Sequence, residues 1–166
     1  MTNIFILLLI LVSMSLTLFL INWFVRFKLK SKLSESENPI TINIFKGILF
    51  ISGGLLLTQL IVTFQTTYKI LERSYSGTDL VLRAISFYSI LFAIVLVAFA
   101  MLLWLSTLLF NLLQNRDNIF VEIANNNLKS LILFIGILFA LTIAVKTGIT
   151  PLLDGFIPYP TLPIYR

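Results

Sequence analysis

Residues 128–149 read LKSLILFIGILFALTIAVKTGI. Lys129 and Lys146 bracket an uncharged run, and the whole stretch has the length of about 20 mostly apolar residues that a helix needs to cross a bilayer core. Inside it Gly136, Ala140, Ala144 and Gly148 recur at every fourth position, which places all four on one side of a helix as a smooth ridge. If this stretch is a spanning helix, the rest of the chain should carry others like it.

It does. Three further runs, residues 3–25, 40–64 and 85–110, pass the same length test. The chain is 58% hydrophobic and only 11% charged, with a mean hydropathy of +1.02, far from the balance of a soluble domain. These features predict an all-α polytopic membrane protein: four transmembrane helices in one membrane domain over residues 1–166, with a tail from 150 to 166 and no separate soluble unit. The first run has no basic residue before it, only Met1, Thr2 and Asn3, and its positive cluster follows it. It is therefore expected to stay as a span rather than act as a secretory signal.

Composition also removes whole classes of chemistry. Cysteine and histidine are both absent, which excludes disulfides, thiol catalysis, haem ligation and His/Cys zinc sites. The seven carboxylates (Glu35, Glu37, Glu72, Asp79, Asp117, Glu122 and Asp154) fall in connections or at span edges. No serine lies in a nucleophile-elbow, phosphate-loop or metalloprotease pattern. The expectation is a noncatalytic protein without a cofactor. The formal charge of +5 comes from cations beside the apolar runs, where they suit anionic lipid headgroups rather than nucleic acid.

Those cations also set an expected topology. Arg26, Lys28, Lys30 and Lys32 crowd the exit of the first span, and the third connection adds Arg116 and Lys129, so both connections are expected in the cytoplasm with the termini outside. The second connection, residues 65–83, carries Lys69, Arg73 and Arg83 and reads as a loop.

A degenerate repeat runs through the chain at an offset of 84. Asn43 and Ile44, then seven residues, then Ser52 and Gly53 align with Asn127 and Leu128, seven residues, and Gly136. Each copy opens the second helix of a pair, after an acidic, Asn-containing approach: Glu35, Glu37 and Asn38 in one, Asp117, Asn118 and Glu122 in the other. Asparagine caps a helix start, carboxylates favour the positive end of its dipole, and glycine admits a neighbouring backbone. On this reading Asn43 caps the second span, and two tandem two-helix units keep the same orientation.

The pattern of Glu122, Ile123, Asn127, Leu128, Gly136 and Ala140, with Asn43, Ser52 and Gly53 in the first copy, resembles the small bacterial membrane proteins called domain of unknown function 350, or uncharacterised family 0719. Phe45 and Lys129 stand where that family has small residues. The resemblance implies a four-helix protein of the bacterial inner membrane with no established activity.

The ridge from Gly136 to Gly148 is read first as a packing face, since close van der Waals contact between small residues is what joins helices in lipid. A weaker ridge of Ser86, Ser89, Ala93, Val97 and Ala100 is expected to pair the third span with the fourth. The Gly53–Gly54 pair is read as packing rather than as a bend. Lys46, Lys129 and Lys146 are read as snorkelling to headgroups; the sharper alternative is a basic cavity of Lys46 and Lys129 that holds a lipid phosphate or a small anion. The proline-rich tail, with Phe156, Tyr159 and Tyr165, is expected to leave the helix as an interfacial anchor. Two functions follow: a membrane component that self-associates or binds another membrane protein, or a small channel or transporter with a basic cavity.

Overall fold

A computed structural model describes residues 2–30, 40–114 and 118–157 of the chain. In order these form α1 (Thr2–Leu29), α2 (Ile40–Ser74), α3 (Gly77–Leu113), the short α4 (Ile119–Ala124) and α5 (Leu128–Asp154). Among the described residues there is no strand, and α1, α2, α3 and α5 are each long and apolar enough to cross a membrane. The protein is an all-α, multi-pass membrane protein.

Side-chain contacts fix the helix directions. Phe5 near the start of α1 meets Tyr68 late in α2, and Phe110 late in α3 meets Phe134 early in α5, so both pairs run antiparallel. α2 and α5 run parallel, because Phe45 meets Phe134 near their starts and Thr63 meets Asp154 towards their ends. One end of the bundle therefore gathers the end of α1, the starts of α2 and α5, the end of α3, and α4. The turn between α2 and α3 marks the opposite end.

α2 is the hub. It packs on α1, α3, α4 and α5, and its buried residues line more than one of its sides: Phe45, Leu49, Leu56, Leu60 and Phe64 are almost wholly enclosed. α1 is peripheral. Among its described side chains it buries Ser13, Thr17, Ile21, Val25 and Leu29, a single stripe at four-residue spacing, while Leu7, Leu11, Phe19 and Phe27 face outward. A helix apolar on all sides with one narrow buried stripe is what lipid as a solvent permits.

Several sequence expectations are corrected here. Residues 65–83 are not a loop: α2 runs on to Ser74 and α3 begins at Gly77, leaving Tyr75 and Ser76 between them. The apolar run stops at Phe64, but the buried stripe continues through Thr67, Tyr68 and Leu71 while polar residues occupy the outer side, so packing carries the helix on. Gly77 closes the turn at φ +61°, a conformation that L side chains rarely adopt. The Arg83 guanidinium lies 4.2 Å from the centre of the Tyr75 ring across the same turn. Asn43 does not cap α2, which begins three residues earlier at Ile40 and leaves Asn43 exposed within its first turn. α5 continues through Pro151 to Asp154, so the helix outlasts the start of the expected tail. Lys32, Glu35, Glu37, Asn38, Arg116, Asp117, Tyr159 and Tyr165, to which the sequence assigns parts in the topology, the repeat and the tail, lie outside the described residues.

Candidate functional site

The end of the bundle that holds α4 is built on phenylalanine. Phe45 packs at 5.5 Å from Phe134 and edge-on to Phe120, Phe120 meets Phe24, and Phe110 meets Phe134, so one aromatic cluster joins all five helices. α4 is fastened to it by polar groups. The Thr41 hydroxyl donates to the Ile123 carbonyl at 2.7 Å, and the α4–α5 corner closes around Glu122. One oxygen of that carboxylate accepts from the Asn127 amide at 2.5 Å and from the Ser130 hydroxyl at 3.0 Å. Asn127 in turn caps α5, its side-chain oxygen accepting from the Lys129 and Ser130 amides. Asn126 takes the left-handed turn at φ 57°, a role that suits asparagine. Residues 125–127 are thus a corner and a cap.

Beside this cluster α1 and α3 part. Towards the opposite end of the bundle the two helices are tied by Tyr88, whose hydroxyl lies 2.6 Å from that of Ser13 and donates to the Leu9 carbonyl at 3.2 Å. Past that tie α1 leans on α2 and α4 rather than on α3. A cleft of about 390 Å³ opens in the gap. Thr17, Leu20, Ile21 and Phe24 form one wall, Leu96, Phe99, Ala100 and Leu103 the other, and Phe45, Phe120 and Phe134 the floor. Trp23 and Trp104 stand exposed at its rim, and among the described residues Lys28 is the one charged residue that lines it.

The small residues singled out in the sequence divide. Gly53 is buried in the α1–α2 contact: a Cβ built there would lie 3.2 Å from Ile21 Cδ1 and 3.4 Å from Thr17 Cγ2. Gly54 faces Met14 at 3.4 Å. Gly136, Ala140, Ala144 and Gly148 are all exposed, and nothing lies within 4 Å of a Cβ built on either glycine. Ser86, Ser89, Ala93, Val97 and Ala100 are exposed as well. The expected pairing of the third and fourth spans through these two ridges is therefore corrected. α3 and α5 do pack together, but through large side chains such as Phe110 and Phe134, and the α5 ridge is left exposed while Ala100 of the α3 ridge turns to the cleft.

The lysines stay apart from the cleft. Lys46 is half-buried about 9 Å along α2, Lys129 is exposed in the first turn of α5, and neither lines it. Lys146 is half-buried on the side of α5 that continues to Thr150 and Asp154. There Thr150 donates to Gln59 Oε1 at 3.0 Å and Thr63 donates to Asp154 Oδ1 at 3.1 Å, two polar ties between α2 and α5 that periodicity alone did not reveal. Sequence reasoning also missed the cleft. Its signal was the narrow stripe Ser13, Thr17, Ile21, Val25 and Leu29, which marks α1 as attached along one line only.

No protein-family model, no curated protein and no solved structure matches this chain.

Proposed function

We propose that this protein is a noncatalytic component of a membrane assembly, joined to a second copy or to another membrane protein through the outward ridge of α5. The carrying observation is that Gly136 and Gly148 are exposed and open, so no contact among the described residues requires them. Glycine within a helix costs about 1 kcal/mol relative to alanine, and a close helix–helix contact from outside would offset that cost. Ala140 and Ala144 complete the smooth surface, and the exposed Ala93 and Val97 on α3 extend the small-residue character to a second helix. The Glu122 to Ala140 pattern, which resembles domain of unknown function 350, fits the same reading and a place in the bacterial inner membrane.

The mass of the intact complex in mild detergent tests it. Wild-type protein is expected to run above the mass of one chain, and Ala140→Leu combined with Ala144→Leu to reduce it to a folded monomer. A wild-type monomer without a partner, or a complex indifferent to both substitutions, would refute the reading.

The orientation belongs to the same proposal. Arg26, Lys28 and Lys30 lie at the α4 end, which we place in the cytoplasm, with the α2–α3 turn outside. Cysteine at the exposed Ser76 should then react with an impermeant thiol reagent in intact cells, and cysteine at the exposed Lys30 should not; the opposite labelling inverts the topology.

A further inference from the structure

We propose that the cleft between α1 and α3 holds one acyl chain of an anionic phospholipid, with the lipid phosphate at Lys28. Three properties of the cleft select this occupant. The first is length: from Thr17 to Lys28 along α1, and from Leu96 to Thr107 along α3, the lining covers about 16 Å of helix at about 1.5 Å per residue. That is the depth of one leaflet, half of the roughly 30 Å hydrocarbon core. The second is chemistry: apolar side chains line the slot between Thr17 at one end and Lys28 and Thr107 at the other, and at about 390 Å³ it falls within the range of about 300–1,000 Å³ typical of ligand sites.

The third is the placement of charge. Lys28 occupies the mouth on the last turn of α1, beside the exposed Arg26 and Lys30. Helix side chains lean towards the helix N-terminus, so the Lys28 stem points back over the slot rather than away from it. At this end Glu122 is engaged by Asn127 and Ser130, and among the described residues no carboxylate lines the cleft or faces Lys28 across it. Trp23 and Trp104 flank the opening at the depth where amphipathic rings meet headgroups. An apolar groove one leaflet deep, with an ammonium at its mouth and two exposed indoles along its rim, matches a lipid that enters sideways from the bilayer with its phosphate at the cytoplasmic surface.

The tryptophans make the test direct, because the chain has only these two and both line the cleft. The full chain is reconstituted into phosphatidylcholine vesicles containing increasing fractions of phosphatidylglycerol brominated on its acyl chains, and tryptophan quenching is recorded. The expected result is quenching at lower lipid fractions than with brominated phosphatidylcholine in phosphatidylglycerol, unchanged by millimolar inorganic phosphate. Lys28→Arg should keep this preference, and Lys28→Gln should weaken it about fivefold, the effect of one basic residue at an anionic surface. Ala100→Phe places a ring in the slot from an exposed position and should abolish the preference in protein that still unfolds as wild type does. Equal quenching by the two lipids, or competition by free phosphate, overturns the proposal. So does a preference that survives Ala100→Phe, which would mean that anionic lipid gathers at the basic surface and leaves the cleft alone. None of these outcomes depends on whether the α5 ridge joins two chains.

Discussion

Gly53–Gly54 in α2 and the series from Gly136 to Gly148 in α5 look alike as sequence: small residues set in an apolar helix. Their surroundings are opposite. Gly53 is buried under Ile21 and Thr17 of α1, whereas Gly136 and Gly148 face outward with none of the described residues against them. At the offset of 84 residues Ser52 falls opposite Gly136, yet Ser52 is wholly enclosed and Gly136 is open. The difference comes from the place of each helix. α2 touches every other helix, and the side that carries Gly53 receives α1, whereas Gly47, about one and a half turns earlier on the same helix, is open. Among the described residues α5 meets α2, α3 and α4, and its ridge lies on none of those sides. A small-residue stripe reports that something can approach closely; the topology of the bundle decides whether that partner belongs to the same chain.

The largest effect that would break this contrast is expected at Gly53. A methyl group alone would meet the flexible tip of Ile21 at 3.2 Å, which can shift, so Gly53→Ala should be mild. Gly53→Leu must displace α1 itself, and overpacking of this kind costs about 1–3 kcal/mol. Because α1 is attached along a single stripe, the loss should appear as a lower unfolding midpoint in mild detergent. The same change at Gly136 should leave the monomer as stable as wild type or slightly more so, since leucine is the better helix former. Equal destabilisation at the two sites would erase the distinction between an inner and an outer glycine face.

How much of this could be read in the sequence follows the physics of each feature. The four spans were legible because bilayer thickness imposes a minimum length on each apolar run. Their ends were not, because α2 beyond Phe64 is held by the stripe of Thr67, Tyr68 and Leu71, a periodic signal that hydropathy averaging conceals among Gln65, Lys69 and Glu72. The cap at Asn127 was legible as an asparagine before a helix with Glu122 behind it. Its counterpart Asn43 misled, because the same residue type inside a first turn leaves the same mark in the sequence. The orientation of the ridges was beyond the sequence altogether: in a span apolar on every side, no polar face distinguishes inside from outside. The cleft escaped for a related reason, since its walls are ordinary lipid-facing leucine, phenylalanine and alanine until α1 is seen to diverge from α3.

A smaller effect sharpens the comparison within α5. Leu141 is half-buried and packs against the core, whereas its neighbour Ala140 on the ridge is exposed. In lipid the loss on truncating Leu141 is mainly lost van der Waals contact, because the vacated surface exchanges protein atoms for acyl chains of similar polarity. Leu141→Ala should therefore cost on the order of 1 kcal/mol, below the roughly 2–5 kcal/mol of a fully buried leucine. Ala140→Leu should move the stability of the single chain by no more than about 0.5 kcal/mol, as for a surface change. Both variants need to be compared at a dilution where wild-type protein is monomeric, so that any contact between chains is already lost. There Leu141→Ala should unfold first and Ala140→Leu should follow wild type. The reverse order would place the ridge inside the chain's own packing and remove the reason to look for a partner on α5.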